Sequence, residues 1–167
     1  MFAECRQYLI DRLKASGMKT PPYTSMKRLS TASESHIAAV LFGKDTFARN
    51  GSKTIYQDDR GDRYKRRKVF DRELSFNVII GDYEEDKVES TLEVFLRTLD
   101  AGIYVDGNFV PIEIEDAEWV EKDDSILRAK IAVNVKVTFN GGVYKDNGFA
   151  KVNAADVQIE KENLNGN

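Results

Sequence analysis

From Leu127 to Phe139 the chain alternates: Leu127, Ala129, Ile131, Val133, Val135, Val137 and Phe139 are apolar, and Arg128, Lys130, Asn134, Lys136 and Thr138 stand between them. Successive side chains on a strand point to opposite faces, so this pattern predicts a long antiparallel strand with one face in a core and one in water. A chain that contains it must also supply pairing strands and an apolar layer to cover the buried face.

Other segments meet that demand. Phe70, Leu74, Phe76, Val78 and Ile80 share one face by the same period. They form the return strand of a long exposed β-hairpin predicted between Phe47 and Ile80. Its short arm lies around Lys53-Thr54-Ile55-Tyr56, and its polar tip is Asp58-Asp59-Arg60-Gly61-Asp62. Asp106-Gly107-Asn108 predicts a second hairpin between Ile103-Tyr104-Val105 and Phe109-Val110-Pro111-Ile112-Glu113-Ile114. Pro111 has no N–H for a ladder, which puts its strand at an edge or a bulge. His36 to Phe42 has the length of a buried strand and is followed by Gly43, whereas Asn140-Gly141-Gly142 reads as a turn with Val143-Tyr144 opening a return strand.

Two segments carry helical spacing. Phe2, Cys5, Leu9 and Leu13, with Tyr8 beside them, form one apolar stripe, and the helix is expected to end near Gly17 ahead of Pro21-Pro22. Val88, Leu92, Phe95 and Leu99 form the other, with Asp82, Glu84, Glu85 and Asp86 at the amino end and a left-handed cap expected at Ala101-Gly102. Lys19 to Ser35 lacks periodicity and reads as a surface connection. The predicted fold class is α+β: a mostly antiparallel sheet, an N-terminal helix and a second helix packed on it, and a long protruding β-hairpin. Of the 167 residues, 41% are hydrophobic and 32% charged, which suits one core. A single domain is expected over residues 1–160, with 161–167 a frayed polar tail.

Composition removes several function classes. A formal net charge of −3 gives no global positive field to hold nucleic acid or an anionic membrane. Met1-Phe2-Ala3-Glu4-Cys5-Arg6 carries charges where a signal peptide needs an apolar stretch, so neither export by that route nor membrane insertion is expected. Cys5 is the single cysteine and His36 the single histidine, which excludes an intramolecular disulfide and any cluster of Cys or His ligands. Cys5 falls on an apolar helix stripe, where it acts as a small hydrophobe. His36 is expected to be a strand-edge histidine bonded to backbone. The Walker, dinucleotide-binding and nucleophile-elbow glycine motifs do not occur. The carboxylates of Asp82 to Asp86, or of Asp58, Asp59 and Asp62, lack calcium-loop spacing and read as a helix start and a loop tip. No catalytic residue and no cofactor are expected; the competing reading is a small divalent-metal-dependent enzyme acting on phosphodiesters.

Two charge blocks stand out. Arg60, Arg63, Lys65, Arg66, Arg67 and Lys68 form a basic block on the predicted hairpin, with Tyr64 and Phe70 nearby. Glu113, Glu115, Asp116, Glu118, Glu121, Asp123 and Asp124 form an acidic block after the second hairpin. Either they are separate solvated surfaces or they meet across subunits. Binding of nucleic acid through the basic block is a weaker reading, because aromatic residues are not interleaved there as a stacking platform requires. Trp119, the sole tryptophan, reads as a core-edge residue, or else as an interface anchor. The candidate interface comprises the six basic residues from Arg60 to Lys68 with Glu113, Glu115, Glu118, Trp119 and Glu121.

The order helix, strand, long hairpin, helix, hairpin, long strand resembles the tail terminator (tail completion) proteins of long-tailed bacteriophages, prophages and related contractile-tail particles. The resemblance spans most of residues 1–145 and rests on element order, length and the extended polar hairpin before Phe70-Asp71-Arg72-Glu73-Leu74-Ser75-Phe76. It rests on no motif, so no family residue carries over. It implies a structural virion protein, made in the host cytoplasm, that forms a homo-oligomeric and typically hexameric ring on the tail tube. Such a ring stops tube polymerisation, offers the surface joined by a head-completion or neck protein, and lets DNA pass transiently through its lumen. A neck, head–tail connector or other minor tail component shares these traits. The long Lys19 to Ser35 connection and the extension after Val143 depart from a minimal member.

Overall fold

A computed structural model describes residues 1–57, 60–121 and 131–149 of the chain. Helix α1 spans Phe2–Ala15 and a one-turn helix α2 spans Met26–Leu29, followed by strands β1 (Ile37–Arg49), β2 (Lys53–Gln57) and β3 (Arg63–Asp82). Helix α3 (Glu85–Thr98) precedes β4 (Gly102–Val105), β5 (Asn108–Glu121) and β6 (Ile131–Gly148). The strands form one open sheet in the order β1-β3-β6-β5-β4, and β2 pairs with β3 on the same side as β1. Every named strand pair is antiparallel. The α+β class and the sheet-and-helix arrangement expected from the sequence are therefore those of the protein.

The alternation of the two central strands builds the core. Leu74, Phe76, Val78 and Ile80 of β3 and Val133, Val135, Val137 and Phe139 of β6 are buried together. Against them pack Cys5, Leu9 and Leu13 of α1 and Val88, Leu92 and Phe95 of α3. Phe76 lies 5.4 Å from Phe2 and 6.0 Å from Phe139, ring centre to ring centre, so one aromatic group joins helix to sheet. The pattern before Ile131, at Leu127 and Ala129, lies outside the described residues, as does the 161–167 tail.

Four sequence expectations change. The Lys19–Ser35 segment is more than a surface connection: Leu29 and Ala32 bury themselves against Ile37, Ala39 and Leu41 of β1. Tyr23 pairs with the same strand, its N–H donating to the Ala38 carbonyl and its carbonyl accepting from the Val40 N–H, each at 2.8 Å. The start of β1 is thus buried on both faces, which is why it reads as a continuous apolar run. β1 does not stop at Gly43 but shifts register between Phe42 and Asp45 and runs on to Arg49.

Helix α3 needs no left-handed glycine, because it ends at Thr98 and Leu99 is already extended (φ −75°, ψ 132°). Gly102 belongs to β4 instead, where a Cβ would stand 2.5 Å from the Phe109 ring and 2.6 Å from the Val110 carbonyl. Lastly, Asn140-Gly141-Gly142 is no turn. Gly141 pairs with Arg72 and Gly142 with Asp71 in an unbroken β6. The glycines make room: a Cβ on Gly141 would lie 2.6 Å from the Met1 methyl carbon, and one on Gly142 would collide with the Lys68 side chain. The Gly17 cap (φ +98°) and the Asp106-Gly107 turn (φ 50° and 74°) have the left-handed backbone expected of them.

Removing the aromatic link should be costly. Phe76→Ala is expected to destabilise the fold by ~3–5 kcal/mol, read from the urea unfolding midpoint, since it empties a fully buried site between helix and sheet.

Candidate interaction surfaces

The register of β3 on β6 explains how a core strand becomes an arm. Pairing is continuous from Asp82↔Ile131 to Tyr64↔Gly148, with one irregularity between Lys68 and Phe70. β1 stops pairing with β3 at Phe70, and β5 stops pairing with β6 at Phe139. Beyond these points β3 and β6 continue with β2 alone beside them, so the expected protruding hairpin is a three-stranded arm. The Asp58-Asp59 part of its tip lies outside the described residues.

Alternation sorts the basic block into two sets. Arg63, Lys65 and Arg67 are exposed and pair in register with Gln57, Ile55 and Lys53, which are exposed too. Arg60 is exposed at the tip. Arg66 and Lys68 are half-buried and are used within the chain. Arg66 grips Asp146 with two hydrogen bonds, Nε to Oδ1 at 2.8 Å and Nη2 to Oδ2 at 2.7 Å, and its Nη1 donates to Asn108 Oδ1 at 3.1 Å. Tyr56 Oη donates to the same Asp146 carboxylate at 3.1 Å. Lys68 Nζ sits 2.7 Å from Asp71. The expectation that the whole block faces another subunit thus fails for Arg66 and Lys68, because Asp146, far away in sequence, is brought opposite Arg66 by β6.

Aromatic rings do accompany the arm, contrary to the sequence expectation. Tyr56 and Tyr64 stack at 5.4 Å, the Arg66 guanidinium lies 4.7 Å from the Tyr56 ring centre, and Lys68 Nζ lies 6.0 Å from that of Tyr144. They come from three different strands. Tyr56, Arg66, Lys68, Asn108, Phe109 and Tyr144 border a cleft of about 490 Å³ where the arm meets the β4–β5 hairpin.

The acidic block lies in a strand rather than a loop. Glu113, Glu115, Asp116 and Glu118 are exposed on β5, and Trp119 is 42% exposed among them, so it is not a core-edge residue. Its cross-strand neighbour Val133 is fully buried in the core, whereas Trp119 stands partly in solvent. Glu115 is held by Lys136 at 2.5 Å and by the Thr138 hydroxyl at 2.6 Å. Glu121 pairs with Ile131 through its backbone; Asp123 and Asp124 lie outside the described residues. β4 covers only Asn108 to Pro111 of the outer edge of β5, and Ile112 N–H is met by the Ala101 carbonyl at 3.0 Å. From Glu113 to Glu121 no strand among the described residues pairs with that edge.

The remaining candidate chemistry is quiet. Burial pushes the Cys5 thiol up to about 11, far from a reactive thiolate. His36 Nδ1 meets the buried carboxylate of Asp82, not a backbone group, because Asp82 ends β3 directly beside the start of β1. Glu84, Glu85 and Asp86 open α3 as expected, while Asp82 belongs to the strand. Among the described residues no group of three or more His, Cys, Asp or Glu side chains is placed to hold a metal ion, and no helix is long and apolar enough to cross a membrane.

No protein-family model matches the chain, and no curated protein is significantly similar to it.

The Arg66–Asp146 pair gives a direct measurement. Hydrogen bonding from Arg66, with help from Tyr56, holds the Asp146 carboxyl below the ordinary aspartate range, and the pair raises Arg66 in turn. A folded-state value below the unfolded one of about 3.9 stabilises above that pH, and the contribution fades as pH falls through the lowered value. Carbon-detected NMR titration is expected to show Asp146 ionising below the ordinary range, and Arg66→Gln to bring it back up.

Proposed function

We propose that this protein is a structural component of a long-tailed phage or phage-like particle, a tail terminator whose copies close into a ring on the tail tube. The ring, typically a hexamer, stops tube polymerisation and presents a surface to the head-completion or neck protein, with DNA passing through its lumen.

The observation that supports it most is the separation of the two charge blocks along a single strand. The nearest outward-facing members, Glu113 beside Thr138 and Arg67 beside Lys145, are well apart along β6. At ~3.3 Å per residue the intervening stretch measures roughly 23 Å, more than two Debye lengths at physiological salt. The two blocks therefore cannot neutralise each other within one chain. A contact that joins two different patches of identical copies is heterologous, and it closes into a ring when the rotation between copies divides a full turn. The arm gives such a contact reach, and its exposed apolar residues supply area, since surface ion pairs contribute only ~0–1 kcal/mol each. Ile55 is 54% exposed on the arm and Trp119 42% exposed on β5.

Two measurements test the reading. Electron microscopy of the purified protein is expected to show rings, and addition of the protein to polymerising tail-tube subunits is expected to yield shorter, capped tubes. Rings that bind only the head side would make it a neck component. A chain that stays monomeric at high concentration and caps nothing would refute the assignment. Lys65→Glu with Arg67→Glu should weaken assembly while leaving the melting temperature nearly unchanged, because surface substitutions of this kind typically move stability by only about ±0.5 kcal/mol.

A further inference from the structure

We infer that the contact between copies is a continuation of the sheet, in which the outer edge of β2 on one chain pairs with the uncovered outer edge of β5 on the next. This inference rests on the ring reading and names the surfaces that would carry it.

Both edges are free to pair among the described residues. β2 has only β3 beside it, and β5 beyond Ile112 has only β6. An open edge presents a row of unmet N–H and C=O groups, and a second strand is what satisfies them. The direction of the backbone groups follows from bonds at each edge. The Ser52 carbonyl accepts from the Lys68 N–H of β3, so the next N–H, that of Lys53, points away from β3, and that of Ile55 does likewise by alternation. On β5, Ile112 N–H points away from β6 to Ala101. Carried past the register shift between Ile114 and Asp116, the alternation turns the N–H groups of Ala117 and Trp119 outward as well.

Charge then selects which edges meet. Two copies of β5 edge to edge would set Glu113, Asp116 and Glu118 against their own duplicates, and like charges directly opposite are destabilising. Two copies of β2 would do the same with Lys53 and its exposed neighbours Lys65 and Arg67. Pairing β2 with β5 in parallel sets acid against base, because an outward-bonding residue then lies opposite an inward-bonding one: Lys53 falls on the face of Asp116 and Glu118, and Thr54 and Tyr56 on that of Trp119. The charges that block self-pairing of each edge thereby favour a head-to-tail joint, which is what a ring of identical copies requires.

The test uses full-length chains in sedimentation velocity over a wide concentration range, with circular dichroism to confirm folding. One variant combines Lys53→Glu with Arg67→Glu, a second combines Glu113→Lys with Glu118→Lys, and a third is Ala117→Pro, which removes an outward N–H but no bond to β6. Each alone is expected to weaken association by roughly ten-fold or more. An equimolar mixture of the two charge variants is expected to reassemble, since each then supplies the edge the other lacks. If the parent assembles and the folded variants assemble as tightly as it does, the edge pairing is wrong while the ring stands. A parent that never leaves the monomeric state removes both.

Discussion

The pairing of β3 with β6 is the constraint on which everything else depends. One uninterrupted ladder serves as core at one end and as arm at the other. In the core half, period-two apolar residues on both strands receive α1 and α3, and hydrophobic burial of ~25 cal/mol per Å² supplies the stabilisation. In the arm half that burial is gone, and polar contacts between the same two strands take over, led by the bidentate Arg66–Asp146 pair. The change of regime falls at Gly141-Gly142, where the absent side chains let the Met1 and Lys68 side chains approach the strand.

That dual use explains what was legible in the sequence and what was not. Alternation at Leu74 to Ile80 and at Val133 to Phe139 is a local signal with one physical cause, and the structure follows it. The Asp106-Gly107 turn is equally local, since its two positive φ angles belong to those two residues. Gly141-Gly142 misleads because the same property, a missing Cβ, permits either a tight turn or a close approach, and only the third dimension distinguishes them. The Lys19–Ser35 segment hides its packing for another reason. Leu29 and Ala32 bury themselves from a short, irregular stretch that has no period to detect.

The candidate surfaces were legible as charge and illegible as geometry. A run such as Arg63 to Lys68 reads as one patch along the chain, but a strand sends alternate residues to opposite faces, so Arg66 and Lys68 turn to intramolecular acids while Arg63, Lys65 and Arg67 face outward. The tyrosines beside them arrive from β2, β3 and β6, and no window of sequence holds all three. Trp119 fails in the opposite direction. Large aromatic residues are usually well covered, and this one is 42% exposed although its cross-strand neighbour Val133 is fully buried.

In the proposed assembly, affinity and direction come from different sources. Backbone hydrogen bonds along an edge are nearly indifferent to sequence and would join any two open strands, which is the ordinary route to aggregation. Apolar area strengthens that joint without choosing a partner. The acidic and basic residues contribute little energy per pair in water, yet each like-charged alternative carries a penalty of the same kind repeated along the strand, and repetition is what turns small terms into a preference. A sheet whose two edges differ in sign therefore has a polarity. Sheets also twist by roughly 20–25° per strand, so each added copy is rotated relative to the last. Polarity with a fixed rotation yields a head-to-tail assembly, and in the proposed joint it closes into a ring where that rotation divides a full turn.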